Sequence, residues 1–138
     1  MGKKALVVDD SPTIRQVQKL LLTRQGYQVF TAEDGSEAFR IARAEQPDLI
    51  LLDVVMPRMN GVECCRLIKK DRELKRATVI MVTGKEELAQ LRSAYAAGCD
   101  GYLVKPLDPK ELAVKISSIE RLRQARGTVR LVLDRRPT

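Results

Sequence analysis

Leu49-Ile50-Leu51-Leu52-Asp53-Val54-Val55-Met56-Pro57 begins with four consecutive aliphatic residues and then places an acid at their end. Four such residues are too few for a helix and show no polar alternation, which is the pattern of a strand covered on both faces. An acid that closes a buried strand needs a partner, because an unpaired charge is costly in an apolar setting. The segment therefore predicts a parallel sheet and a chemically active residue at its edge.

Four more runs of this kind lie outward from it: Ala5 to Val8, Gln28 to Thr31, Val79 to Val82 and Tyr102 to Val104. Stretches of helical period separate them, giving five alternating βα units and an α/β fold with helices on both faces. The first helix has Ser11 as N-cap, Pro12 in its first turn and Ile14, Val17, Leu20 and Leu21 on one face, and ends near Gly26. The second is expected from Ser36 to just before Pro47, the third from about Gly61, and the fourth from about Glu86 to Ala97 with Gly98 as its stop. Asp108-Pro109-Lys110-Glu111 has the spacing of a capping box and opens the fifth, with Leu112, Ile116 and Ile119 on one face.

Gly127 is expected to end that helix, with Thr128 to Leu133 as a linker, an added short strand or the start of a second domain. The domain is thus assigned to residues 1–126, and residues 127–138 to a basic C-terminal extension or linker. The net charge of +7 resides largely in residues 121–138: up to residue 120 there are 19 basic and 17 acidic side chains, and after it six and one. A solvated helix end and terminus is the plain reading; a docking or nucleic-acid arm is the other.

With 138 residues, one core is expected. No apolar run approaches the ~20 residues of a membrane span, and Ala5 to Val8 is too short for a signal-peptide core. Adjacent Cys64 and Cys65 with a single Cys99 do not form a secreted disulfide pattern, so reduced thiols in the cytoplasm are expected. The chain has no histidine, which removes histidine zinc sites, serine-histidine triads and a phosphohistidine carrier role.

In an open parallel sheet, ligands bind beyond the carboxyl ends of the strands. There the sequence places Asp9-Asp10, Asp53, Thr83-Gly84 and Lys105-Pro106. Three carboxylates brought together repel, and the remedies are protonation or a bound cation. Mg²⁺ takes oxygen ligands, uses only one or two carboxylates and completes its shell with water and phosphate oxygens. Asp10 and Asp53 are the candidate carboxylates. With its charge offset by the metal and Lys105, Asp53 becomes a candidate nucleophile toward a phosphoryl group, and Thr83 a hydroxyl donor to it. Met59, Cys64 and Cys65 read as packing.

Val7-Val8-Asp9-Asp10-Ser11, Asp53-Val54-Val55-Met56-Pro57 with Asn60-Gly61, Val82-Thr83-Gly84 and Tyr102-Leu103-Val104-Lys105-Pro106-Leu107 together resemble the response-regulator receiver family over residues 4 to about 122. The resemblance implies a doubly wound, flavodoxin-like sheet of order 2-1-3-4-5. It implies that Asp53 receives phosphate from a sensor histidine kinase. Asp10 and the Val55 carbonyl would bind Mg²⁺ with Asp53, Asp9 acting through water, and Lys105 and Thr83 would read the phosphoryl group. Thr83 and Tyr102 would act as switch residues, the Lys105–Pro106 bond would be cis, and Val55 and Lys85 would tune phosphoryl lifetime. The output would pass through the face of helix four, strand five and helix five to a partner protein or an attached domain, as a monomer or a phosphorylation-dependent dimer. Nucleic acid would be a partner only through a further domain, and the chain would catalyse only its own phosphorylation and dephosphorylation.

A haloacid-dehalogenase-type enzyme would need a second acid two residues after the first, where Ser11 and Val55 stand. A nucleotide hydrolase would need a glycine five positions before Gly84, where Val79 stands. A receiver that works without phosphorylation is the remaining alternative.

Overall fold

The computed structural model describes residues 2–56 and 59–134, with side chains described as far as residue 125. The chain forms two compact units, one ending at Leu107 and one beginning at Asp108.

The first unit is a parallel sheet of β1 (Lys4–Val8), β2 (Gln28–Ala32), β3 (Leu49–Asp53), β4 (Thr78–Thr83) and β5 (Gly101–Val104), in the order β2-β1-β3-β4-β5. This is the expected order. The central strands are the most buried: every residue of β3 and β4 is covered, whereas edge strand β2 begins exposed at Gln28. Side chains alternate across the sheet. Leu6, Val8, Ile50, Leu52, Val79 and Met81 enter one cluster with Ala38 and Ala42 of α2 (Gly35–Glu45), Cys64, Cys65 and Ile68 of α3 (Gly61–Lys70), and Ala94 of α4 (Leu91–Ala96). Their neighbours Val7, Leu49, Leu51 and Ile80 are buried toward the opposite face, that of α1 (Pro12–Arg24). Each buried leucine or isoleucine contributes about 2 kcal/mol of transfer free energy.

The helix ends follow the capping residues. Ser11 Oγ accepts from the Ile14 N–H, Asp34 Oδ1 from Glu37 and Asn60 Oδ1 from Glu63. Helix α2 thus starts one residue earlier than Ser36, because Asp34 is its cap. Gly26 and Gly98, at φ of +96° and +104°, turn the chain out of α1 and α4.

The stretch expected as one helix from Glu86 to Ala97 is divided: Lys85–Gln90 is a 3₁₀ helix and only Leu91–Ala96 is α. Gly84 at its start offers no capping side chain, and its carbonyl accepts from the Glu87 N–H at 3.2 Å, the three-residue bond of a 3₁₀ turn.

The second unit contains α5 (Pro109–Asp134). Asp108 Oδ2 caps it by accepting from the Glu111 N–H at 3.0 Å, and Leu112, Ile116 and Ile119 are buried, as the spacing predicts. Gly127 does not end this helix, and Thr128 to Leu133 form no strand. A lone glycine costs a helix only about 1 kcal/mol, and a short apolar run suits helix or strand equally. Residues 135–138 of the extension lie outside the described residues. Among the described residues, no helix is long and apolar enough to cross a membrane.

Candidate functional site

Parallel pairing carries the ends of four strands to one edge of the sheet. Asp53 and Thr83 are the last residues of β3 and β4, one position further into the strands than the aliphatic runs alone indicated. Asp9 follows β1 directly, and Lys105 follows β5. Register pairs Val8 with Leu52, Asp53 with Val82 and Thr83 with Val104, which sets these groups side by side.

Lys105 Nζ lies 2.9 Å from Asp9 Oδ2 and 3.3 Å from Asp53 Oδ1. Asp9, Asp10 and Asp53 each bring a carboxylate oxygen within 4.8 Å of the others, Asp9 and Asp53 buried and Asp10 exposed. Ionised pairs at that spacing repel by about 3 kcal/mol at an effective dielectric constant of ~20, and one ammonium cannot offset three acids. The consequence falls on Asp53, whose pKa rises from 3.8 to about 6, first through burial, then through the Asp9 charge, with Lys105 only partly opposing. For Lys105, burial works against the charge, but the close Asp9 and Asp53 carboxylates prevail and its pKa is raised.

Asp9 is tied on every side. Its N–H donates to the Ala32 carbonyl at 3.1 Å, Oδ1 accepts from the Ser11 N–H at 2.9 Å, and its carbonyl accepts from Arg15 Nη1 at 2.7 Å. Its Oδ2 is buried and has no aligned hydrogen bond, so its 2.9 Å approach to Lys105 is a contact of charge. Asp53 Oδ1 accepts a long bond, 3.4 Å, from the Val55 N–H. The donor set is all hard oxygen, with one buried carboxylate oxygen lacking a hydrogen bond and the carboxylates in mutual reach, which fits a small divalent cation better than a soft one.

Thr83 Oγ1 donates to the Gly84 carbonyl at 3.0 Å. Tyr102 packs against the core cluster and meets Tyr95 edge-on, with ring centroids 6.4 Å apart. The Lys105–Pro106 bond is cis. Val55 is half-exposed beside Asp53, and Lys85 is exposed. Pro57 lies outside the described residues. Burial pushes the Cys64 and Cys65 thiols up to about 12 and Cys99 to about 11, so all three stay protonated and serve as packing.

Two contributors were not legible as such in the chain. A Cβ at residue 61 would strike the Asp53 carbonyl oxygen, so Gly61 lets α3 approach the end of β3. Asn60-Gly61 marked a helix start in the sequence, but not this reason for it. Arg15, which holds the Asp9 carbonyl, carries no sequence signal, because its bond spans a loop and a helical turn.

The family model described as response regulator receiver domain matches residues 5–117. The alkaline phosphatase synthesis transcriptional regulatory protein PhoP of Bacillus subtilis is 38% identical over 121 residues, 88% of this chain and 50% of PhoP. Transcriptional regulatory protein ResD of the same organism is 41% identical over 125 residues, 91% of this chain and 50% of ResD. The chain therefore spans about half the length of these curated relatives. Among solved structures, the Vibrio cholerae chemotaxis protein CheY4 superposes with a TM-score of 0.80 at 34% identity, over 86% of this chain and 99% of CheY4. A strand order of 2-1-3-4-5, an acidic pocket facing a lysine, and these relatives converge: the chain belongs to the response regulator receiver domain family.

Proposed function

We propose that this chain is a switch whose phosphoacceptor is Asp53. Receiver domains accept a phosphoryl group on an aspartate, generally with Mg²⁺ at an acidic pocket, and response regulators work with histidine kinases and output domains. The observation that carries the assignment is the position of the Asp53 carboxylate, with Oδ1 3.3 Å from Lys105 Nζ and one of its oxygens within 4.8 Å of an Asp9 and an Asp10 carboxylate oxygen.

Asp10, Asp53 and the Val55 carbonyl would hold the cation, with Asp9 assisting through water. Bound Mg²⁺ supplies the positive charge that lets an anionic nucleophile meet an anionic phosphoryl group. An Asp53 carboxylate oxygen attacks phosphorus, its lone pair forming the new O–P bond. The P–N bond to the kinase phosphohistidine breaks, and the imidazole leaves with that electron pair and takes up a proton. Lys105 follows the carboxylate charge onto the phosphoryl oxygens. The Thr83 hydroxyl exchanges the Gly84 carbonyl for a phosphoryl oxygen, and Tyr102 turns inward, shifting a pre-existing equilibrium. Water then hydrolyses the acyl phosphate and resets Asp53, so the chain acts on itself and on no separate substrate. The cytoplasm, where three free thiols persist, suits this role.

The output is a partner protein or an attached domain. CheY4 is named as a chemotaxis protein, whereas PhoP and ResD are named as transcriptional regulatory proteins. One switch suits either arrangement.

Intact mass after incubation with acetyl phosphate tests the assignment. Wild type is expected to gain one phosphoryl group only when Mg²⁺ is present, and Asp53→Ala none. An adduct on Asp53→Ala, or none on wild type, would refute it.

A further inference from the structure

The loop that carries Asp9 and Asp10 has to hold two acids close to a third, against their repulsion. The first turn of α1 helps to brace it. The Arg15 N–H donates to the Ser11 carbonyl at 3.0 Å, Ser11 Oγ accepts from Ile14 at 3.3 Å, and the Arg15 side chain reaches back to donate Nη1 to the Asp9 carbonyl at 2.7 Å. Of the four polar groups of Asp9, the carbonyl is the only one anchored by an arginine, and its orientation sets the plane of the Asp9–Asp10 peptide. Among the described residues, the Arg15 guanidinium meets no carboxylate at ion-pair distance. A partly buried arginine without an acid partner, bonded to a main-chain oxygen beside an acid pocket, is placed to hold the backbone.

We infer that Arg15 is a positioning residue for the metal loop: it fixes the Asp9–Asp10 peptide so that the Asp10 carboxylate points to the shared site with Asp53. This rests on the Mg²⁺-dependent reading above. Without the Nη1 bond the peptide can rotate, Asp10 can swing into solvent, and part of the cation's binding free energy is consumed in returning it. Arg15 touches neither cation nor phosphoryl group, so the penalty should fall on metal affinity and vanish once metal saturates.

The test uses the full chain, with MgCl₂ titrated into unphosphorylated protein by calorimetry and initial phosphorylation rates measured with acetyl phosphate across Mg²⁺ concentrations. Arg15→Met keeps the apolar stem, and Arg15→Gln keeps a donor that is too short. Each is expected to weaken Mg²⁺ binding about tenfold, the lower end for groups that orient metal ligands, with the rate at saturating Mg²⁺ unchanged. Arg15→Lys, which reaches the carbonyl with one donor, is expected to recover most of the affinity. Wild-type affinity in both Arg15→Met and Arg15→Gln would overturn the inference, and so would a saturated rate that falls along with affinity, since that places Arg15 in the transfer step. Wild type that binds no Mg²⁺ would remove the inference together with the functional reading, an outcome visible before any variant is made.

Discussion

Asp53 shows how a site can be organised for chemistry at the expense of the fold that holds it. Its folded pKa of about 6 lies above its ordinary 3.8, because burial and Asp9 together outweigh Lys105. Between those two values the folded chain keeps a proton that the unfolded chain has released, so stability falls as pH rises through that window and stays lowered above it. A rise of that size in pKa corresponds to about 3 kcal/mol. In chelator, Asp53→Asn should therefore be more stable than wild type by about 2 to 3 kcal/mol at pH 7.5, with the difference gone below pH 4, as read by urea unfolding at both pH values. Equal stabilities at pH 7.5 would mean that Lys105 fully compensates the charge. Lys105 has the opposite balance. Lys105→Met strips the buried Asp9 Oδ2 of its cation, and breaking such a pair costs roughly 3 kcal/mol or more. A drop of that size in unfolding free energy at pH 7, together with loss of phosphoryl uptake, is expected.

At the level of elements, the strands were legible and the connections less so. β1, β3 and β4 are near-continuous aliphatic runs because both of their faces are covered, and such runs admit few other readings. Asp9, Asp53, Thr83 and Lys105 could be singled out as candidates because each lies at or next to a strand end, a position that sequence marks plainly. The 3₁₀ segment Lys85–Gln90 was not, since it depends on which amide the Gly84 carbonyl accepts. Nor was the continuation of α5 through Gly127, where a single residue was given more weight than the stretch around it. A third unforeseen contact joins α3 to the sheet. Lys69 Nζ reaches Asp100 Oδ2 at 2.8 Å and the Ala77 carbonyl at 2.6 Å, while Asp100 also accepts from the Val79 N–H. The Lys69–Asp100 pair is mostly covered, so Lys69→Met should lower stability by about 2 kcal/mol and leave phosphorylation at saturating Mg²⁺ intact. Thermal unfolding and the mass assay together check it; loss of phosphorylation in a folded variant would show that the staple reaches the site.

For the molecule as a whole, the two units differ in what they contribute: every residue named at the site belongs to the first. The extension after Gly127 adds basic charge and the last turns of α5. Deleting Thr128 to Thr138 should leave the rate and extent of phosphoryl uptake from acetyl phosphate unchanged; if the deletion abolished uptake, the domain boundary at residue 126 would be wrong. Because Asp9, Asp53, Thr83 and Lys105 come from four different parallel strands, no fragment short of nearly the whole sheet contains the site. During synthesis at about 5 to 20 residues per second, some 5 to 20 s separate the appearance of Asp9 from that of Lys105. Through that interval the newborn chain already carries its acids and lacks the lysine that draws them together. The capacity to receive a phosphoryl group thus waits for Lys105, and a chain terminated before it is silent by construction.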